Sequence, residues 1–149
     1  MLELRDSITI NQPPKVVYGW FKNNFVKDYR KWHPKDHIVA KWLKGKGFEP
    51  ASVLYAEEYL GEHIEKLTFK LTKNIPDNLI EYKVLFPESI ICSGGSFLIE
   101  PHGKGSRFTA TLTFRFGFVL SKFLSRRVNA LKKHMKEEGE NLKKLLETR

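Results

Sequence analysis

Polar and apolar positions alternate with period two through much of this chain and change to a helical period near each end. "DSITI" (6–10) alternates as a first strand. "NQPPKVVYGWFKNNF" then opens a helix, with Asn11 as candidate cap and Pro13 or Pro14 in the first turn. Val16, Val17, Trp20, Phe21 and Phe25 give that helix its buried face. "VKDYRKWHPKDH" follows as a short helical or looped segment broken at Pro34.

From Ala51 to Phe116 the pattern is that of strands. "SVLYAEEYLGEHIEKLTFKLT" reads as two strands turning at Leu60 and Gly61, "NLIEYKVLF" as a third, "SIICSGGSFLIEP" as a fourth and "SRFTATLTFRF" as a fifth. "NIPDN" and "PHGKG" supply the turns between them. The last strand alternates most clearly, with Phe108, Ala110, Leu112, Phe114 and Phe116 on one face and Thr109, Thr111, Thr113 and Arg115 on the other. "SGGS" lacks the lysine and following helix of a phosphate loop and reads as a strand bulge.

After Gly117 a helical period runs for about 30 residues, enough for roughly 45 Å of helix. Leu124, Val128, Leu131, Met135, Leu142 and Leu145 form its apolar seam, and the step between Met135 and Leu142 is filled by Glu138. A carboxylate therefore stands where an apolar side chain belongs.

Composition bounds what that carboxylate can mean. At 149 residues and 41% apolar content the chain suits one globular domain, residues 1–149, with a core of its own. The single cysteine, Cys92, excludes an internal disulfide and fits a reducing compartment. The amino-terminal "MLELRDSITI" has charges where a secretory signal needs an apolar run, and no stretch approaches the roughly 20 apolar residues of a membrane span, so a cytoplasmic location is expected. The net charge of +9 is dispersed through the structured segments. It reads first as a solvated basic surface, and second as a docking surface for an anionic membrane. Nucleic acid is not expected as a partner, because the aromatic residues are committed to the core rather than interleaved with lysine.

Facing arguments select the residues that accompany Glu138. With the hairpin closed around Leu60 and Gly61, residues whose numbers sum to 121 oppose one another, which places Glu58 opposite His63 and Leu54 opposite Leu67. Leu54 and Ala56 share a face with Leu67, Phe69 and Leu71, so Glu58 points inward and Glu57 outward. In "YRKWHPKDH", Pro34 opposes a continuous helix that would put His33 and His37 on one face. His37 is then the candidate and His33 a structural or surface residue. His37, Glu58 and Glu138, with His134 one helical turn before Glu138, make a nitrogen and oxygen set suited to zinc with an open coordination position.

Each candidate has a simpler alternative. Glu138 could reach water at a kink marked by Gly139. His134 could be exposed beside Lys132, Lys133 and Lys136, and Glu58 could pair with a lysine at the sheet rim. His63 and His102 fall at turns and are left aside.

The order of elements, over essentially the whole chain, resembles the START-like helix-grip superfamily (SRPBCC). The resemblance implies an α+β fold in which a curved antiparallel sheet wraps around a long carboxyl-terminal helix, with a ligand cavity between them. Within that superfamily, "YRKWHPKDH", "LYAEEYLGEHIEKLTF" and "HMKEEGENLKKLL" resemble the zinc domain of the 2,4-diacetylphloroglucinol hydrolases. That likeness implies one zinc held by two histidines and two glutamates, and cleavage of the carbon–carbon bond joining an acyl group to a phenolic ring. It implies His37, Glu58 and Glu138 as metal ligands, with Glu57 in reserve for Glu58. It also implies Tyr29, eight residues before His37, as a substrate contact, and His134 at the position of a histidine near the site.

Three features depart from that pattern. "SIICSGGSFLIE" offers no second histidine ligand, Ala40 stands where a substrate-contacting asparagine is expected, and the chain has no room for an additional amino-terminal region. The missing histidine leaves open a metal held by three residues, one completed by His134, or no metal; the sequence thus implies a helix-grip protein binding a small hydrophobic or aromatic ligand, and the resemblance implies zinc as its cofactor. Tyr29 and His134 are the candidate catalytic residues, and Trp20, Tyr82, Phe108 and Phe114 candidate cavity walls. The competing reading is a carrier of lipid or another hydrophobic ligand without catalysis.

Overall fold

The computed structural model describes residues 2–115 and 125–148. Phe116, Leu124 and the helical start expected after Gly117 lie outside them. Seven strands form one open antiparallel sheet: β1 (Leu2–Ile10), β2 (His37–Lys44), β3 (Val53–Leu60), β4 (His63–Ile75), β5 (Leu79–Val84), β6 (Cys92–His102) and β7 (Gly105–Phe114). Their spatial order is β1-β7-β6-β5-β4-β3-β2, so β1 and β2 are the two edges. Helices α1 (Pro14–Asn24) and α2 (Tyr29–Trp32) carry the chain between those edges, and α3 (Ser125–Glu147) lies across the concave face. This is the α+β helix-grip architecture.

The core explains why the sheet curves around the helices. Trp20, Phe21, Phe25 and Trp32 pack with centroids 5.2–5.9 Å apart, edge to face except for the stacked Phe21–Phe25 pair, and Phe97 and Phe108 continue the cluster from the sheet. From α3, Leu142 and Leu146 are fully buried. Gly139 lets the helix approach β1 closely: a Cβ there would lie 3.3 Å from Asp6 Oδ2 and 3.4 Å from Ile8 Cγ2. Gly139 is thus a packing glycine within α3. No helix among the described residues is long and apolar enough to cross a membrane.

Several local expectations are corrected. The residue before α1 is Pro13, which makes no side-chain cap. Asn11 instead donates its backbone N–H to Glu147 at 2.7 Å. Tyr18 takes the buried position on α1 expected of Val16. Residues 37–44, unassigned between the α2 segment and Ala51, form the edge strand β2. Its "HIVAKWLK" shows no clean alternation, because the ladder to β3 is irregular between His37 and Val39 and again between Trp42 and Lys44.

The β3–β4 hairpin turns one residue later than expected, around Gly61 and Glu62. Leu60 pairs with His63, Glu58 with Glu65 and Leu54 with Phe69. The register is therefore shifted by two positions, and because side chains alternate with period two, Glu58 still faces inward. β6 begins at Cys92, after a 3₁₀ turn at Glu88–Ile90, and its register slips between Cys92 and Gly94, the bulge expected at "SGGS".

Candidate functional site

α2 ends at Trp32, two residues before Pro34, where the missing backbone N–H and the ring no longer permit helix. The chain then turns, with His37 N–H donating to His33 O at 2.9 Å, so that His37 opens β2 rather than extending α2. His37 and Glu58 are partners across the β2–β3 ladder. From above, α3 presents His134 and Glu138 one turn apart, and the indole N–H of Trp32 holds that turn by donating to the Glu138 backbone carbonyl at 2.9 Å.

These elements bring four donor atoms together. His37 Nε2 lies 3.5 Å from Glu58 Oε2 and 2.9 Å from Glu138 Oε2. His134 Nε2 lies 3.3 Å from Glu58 Oε2 and 3.4 Å from Glu138 Oε2. One ligand atom from each of the four falls within 4.8 Å of the other three, a set that could hold a metal ion. His37 and His134 are both buried, His134 at 3% exposure, so its lysine neighbours on α3 do not carry it to the surface. Among the described residues Glu58 pairs with no lysine at the sheet rim; it accepts a hydrogen bond from Tyr29 Oη at 2.9 Å. In β6, where a second histidine was sought, Ser93, Gly94 and Gly95 stand instead.

Both histidines are oriented from behind. His37 Nδ1 donates to the Tyr29 backbone carbonyl at 2.9 Å, and His134 Nδ1 is 3.0 Å from Asp36 Oδ2. Each Nε2 is thereby aimed at the carboxylates. Each ring is also stacked, His37 on Tyr29 and His134 on His33. His33 is fully buried and braces the turn by accepting the Asp36 backbone N–H at 3.1 Å, so it is structural and not a surface residue. A second cluster of His33, Asp36 and His134 overlaps the first through His134, and its contacts are those of this supporting layer. Asp36 was not singled out from the sequence; its place immediately before His37 was the available signal.

Without a metal the cluster is an ion-pair network. Burial alone would lower the His134 pKa, but Glu138 and Glu58 oppose it and push it up to about 12. Burial would raise Glu138, yet His134 and His37 hold it well below the usual carboxylate range. Tyr29 is pushed well above the ordinary phenol value by burial first and then by Glu58 and Glu138, so it is a donor. His134 Nε2 remains sealed with no well-aligned hydrogen bond, despite its proximity to two carboxylates.

The cluster forms the polar end of a cavity of about 230 Å³. Leu54, Ala56, Leu67, Phe69, Leu112 and Met135 are among its walls, with Tyr82 and Phe114 as expected. Trp20 and Phe108 are not; both are buried in the aromatic core behind it.

A curved sheet, a long helix over its concave face and a largely apolar cavity between them define a ligand-binding helix-grip protein. The chain belongs to the family described as polyketide cyclase / dehydrase and lipid transport, whose pattern it matches over residues 1–147. The fold is shared with the Zhui aromatase/cyclase from Streptomyces sp. R1128 (12% identity, TM-score 0.78, covering 99% of this chain and 94% of that one). It is shared also with norcoclaurine synthase from Thalictrum flavum (10%, TM-score 0.75, 97% and 93%). The protein TTHA0849 from Thermus thermophilus is a third neighbour (18%, TM-score 0.73, 99% and 98%). No curated protein matches the chain significantly in sequence.

Proposed function

We propose that the protein is a metal-dependent hydrolase, in which His37, Glu58, His134 and Glu138 hold zinc and the cavity presents an acyl-phenol or related aromatic ketone to it. The observation that carries this reading is the spacing of the four donors. Zinc bonds of about 2.0–2.1 Å directed to the corners of a tetrahedron set those corners roughly 3.3–3.4 Å apart. The four histidine–carboxylate spacings here run from 2.9 to 3.5 Å, and every donor atom lies within 4.8 Å of the others. Two carboxylates offset the charge of a dication in a buried setting, and both histidines have the Nδ1 partners usual behind a metal. The resemblance to the 2,4-diacetylphloroglucinol hydrolases supports the same donor types, with His134 of α3 in place of a histidine from β6.

When bound, zinc would supply Lewis acidity towards a ketone oxygen and lower the pKa of a water. The protein's own groups do the rest. The apolar walls hold a flat ligand and exclude bulk water. Hydrolysis adds the hydroxide part of water to the acyl carbon and a proton to the ring carbon as the bond between them breaks, giving a carboxylic acid and the deacylated ring. With His134 occupied as a donor, that proton falls to Tyr29 or to the second oxygen of Glu58 or Glu138. Tyr29 Oη, 2.9 Å from Glu58 Oε2, is placed to donate to either the carboxylate or a phenolic oxygen.

A second reading is a carrier, and one observation favours it: four protein donors complete a tetrahedron, as in structural zinc sites. Acetate release from ring-hydroxylated acetophenones separates the two. The hydrolase reading expects release by zinc-loaded protein that stops with a chelator and returns with zinc. Loaded protein that releases no acetate, while an apolar ligand co-purifies with it, contradicts hydrolysis.

A further inference from the structure

Tyr82 sits on β5 between Ile80 and Val84, both of which face the core, and its cross-strand partner on β6 is Gly95. A Cβ at Gly95 would lie 2.7 Å from Tyr82 Oη and 3.0 Å from its Cζ, so the ring extends over the glycine along the concave floor of the sheet. Phe69 and Phe97 hold the ring, with centroids 5.1 and 5.6 Å away. The cavity's other tyrosine, Tyr29, has its hydroxyl committed to Glu58.

Tyr82 Oη differs: it has no hydrogen-bond partner among the described residues. Nor is it one of the sealed unpartnered atoms, which there are Trp20 Nε1, His33 Nε2 and His134 Nε2. Tyr82 is one of the residues that line the cavity. Burial first, then the charges of Cys92, Glu138 and Glu58, hold the phenol well above its usual pKa, and it stays protonated. A buried hydroxyl without a partner among the described residues carries a desolvation cost that a bound oxygen would relieve.

We infer that Tyr82 is a second polar anchor, and that the cavity's ligand is a flat apolar molecule bearing two oxygens, one for the cluster of His37, Glu58, His134 and Glu138 and one for the Tyr82 hydroxyl. This rests on the proposed reading only for what the first oxygen meets. An apolar molecule with a single oxygen would leave Tyr82 unpaired. Lipid chains, with no polar group at mid-length, are disfavoured for the same reason.

The test is calorimetric binding of acetophenone and its three ring-hydroxylated isomers to the wild type and Tyr82→Phe, each zinc-loaded and chelated. The phenylalanine keeps the ring over Gly95. At least one hydroxylated isomer should bind the wild type more tightly than acetophenone, by roughly three- to tenfold. Tyr82→Phe should abolish that gain and leave acetophenone unchanged. A gain that survives in Tyr82→Phe, an equal weakening of every probe, or no gain for any isomer overturns the inference. A Tyr82-dependent gain accompanied by acetophenone binding that zinc leaves unchanged upholds the anchor while counting against the metal reading.

Discussion

The rings of Tyr29 and His37 lie face to face, centroids 3.9 Å apart and planes 5° apart, and the Tyr29 backbone carbonyl accepts the His37 Nδ1 proton at 2.9 Å. One residue thus fixes both the plane and the tautomer of a donor histidine. Asp36 does the corresponding work for His134 through a carboxylate.

These supports predict a ranking of zinc affinities. Tyr29→Phe keeps the stack and the carbonyl and loses only the hydroxyl bond to Glu58. It should weaken zinc by about tenfold, while Asp36→Ala approaches a hundredfold. Competition with a chromophoric chelator measures both, and the reverse order would contradict the orienting role of Asp36.

The metal-free protein should show a defined pH response. The folded-state pKa of His134 is raised, from 6.5 to about 12, so its contribution to stability is complete below about 6.5 and lost progressively as pH rises towards 12. Glu138 is shifted the other way, so its contribution is present above 4.5 and lost as pH falls below that value. The stability advantage of the wild type over His134→Gln in urea should therefore shrink between neutral pH and pH 10, and again in acid. A constant difference would contradict the ion-pair network.

Cys92, on the cavity wall, has its thiol pushed up by burial to about 11. Its thiolate fraction at pH 8 should be on the order of a hundredfold below that of an ordinary thiol. Iodoacetamide should react correspondingly slowly, and more slowly still with a ligand in the cavity. Labelling at the ordinary rate would contradict the burial.

At Gly139, alanine should be neutral or stabilising by up to ~1 kcal/mol, because the helix gains propensity and the Asp6 carboxylate can swing aside. Leucine should destabilise by roughly 1–3 kcal/mol, since Ile8 cannot yield. Thermal unfolding of the two variants decides this, and equal midpoints would contradict close packing of α3 on β1.

What the sequence revealed follows from which physical signals are local. Period two exposed β7, and the break in the apolar seam exposed Glu138. The inward aim of Glu58 survived a register error because the slip was two residues, an even number. β2 was missed because the irregularities near both of its ends break the period of an edge strand. The surroundings of His134 were ambiguous for a related reason: Lys132, Lys133 and Lys136 share its turn but not its face, while Leu131, Met135 and Glu138 share the face. Asp36 and the aim of Tyr82 depend on contacts between distant segments, which no local period reports.

The most direct measurement is metal content by plasma mass spectrometry of untagged wild type and Glu138→Gln, purified identically. The glutamine keeps the backbone carbonyl that Trp32 binds, so the fold is retained while a donor charge is lost. Near-stoichiometric zinc in the wild type, reduced at least tenfold in the variant, is the predicted result. Zinc absent from both, even after loading, would contradict the metal centre and leave the four residues as an ion-pair cluster at the end of a ligand cavity.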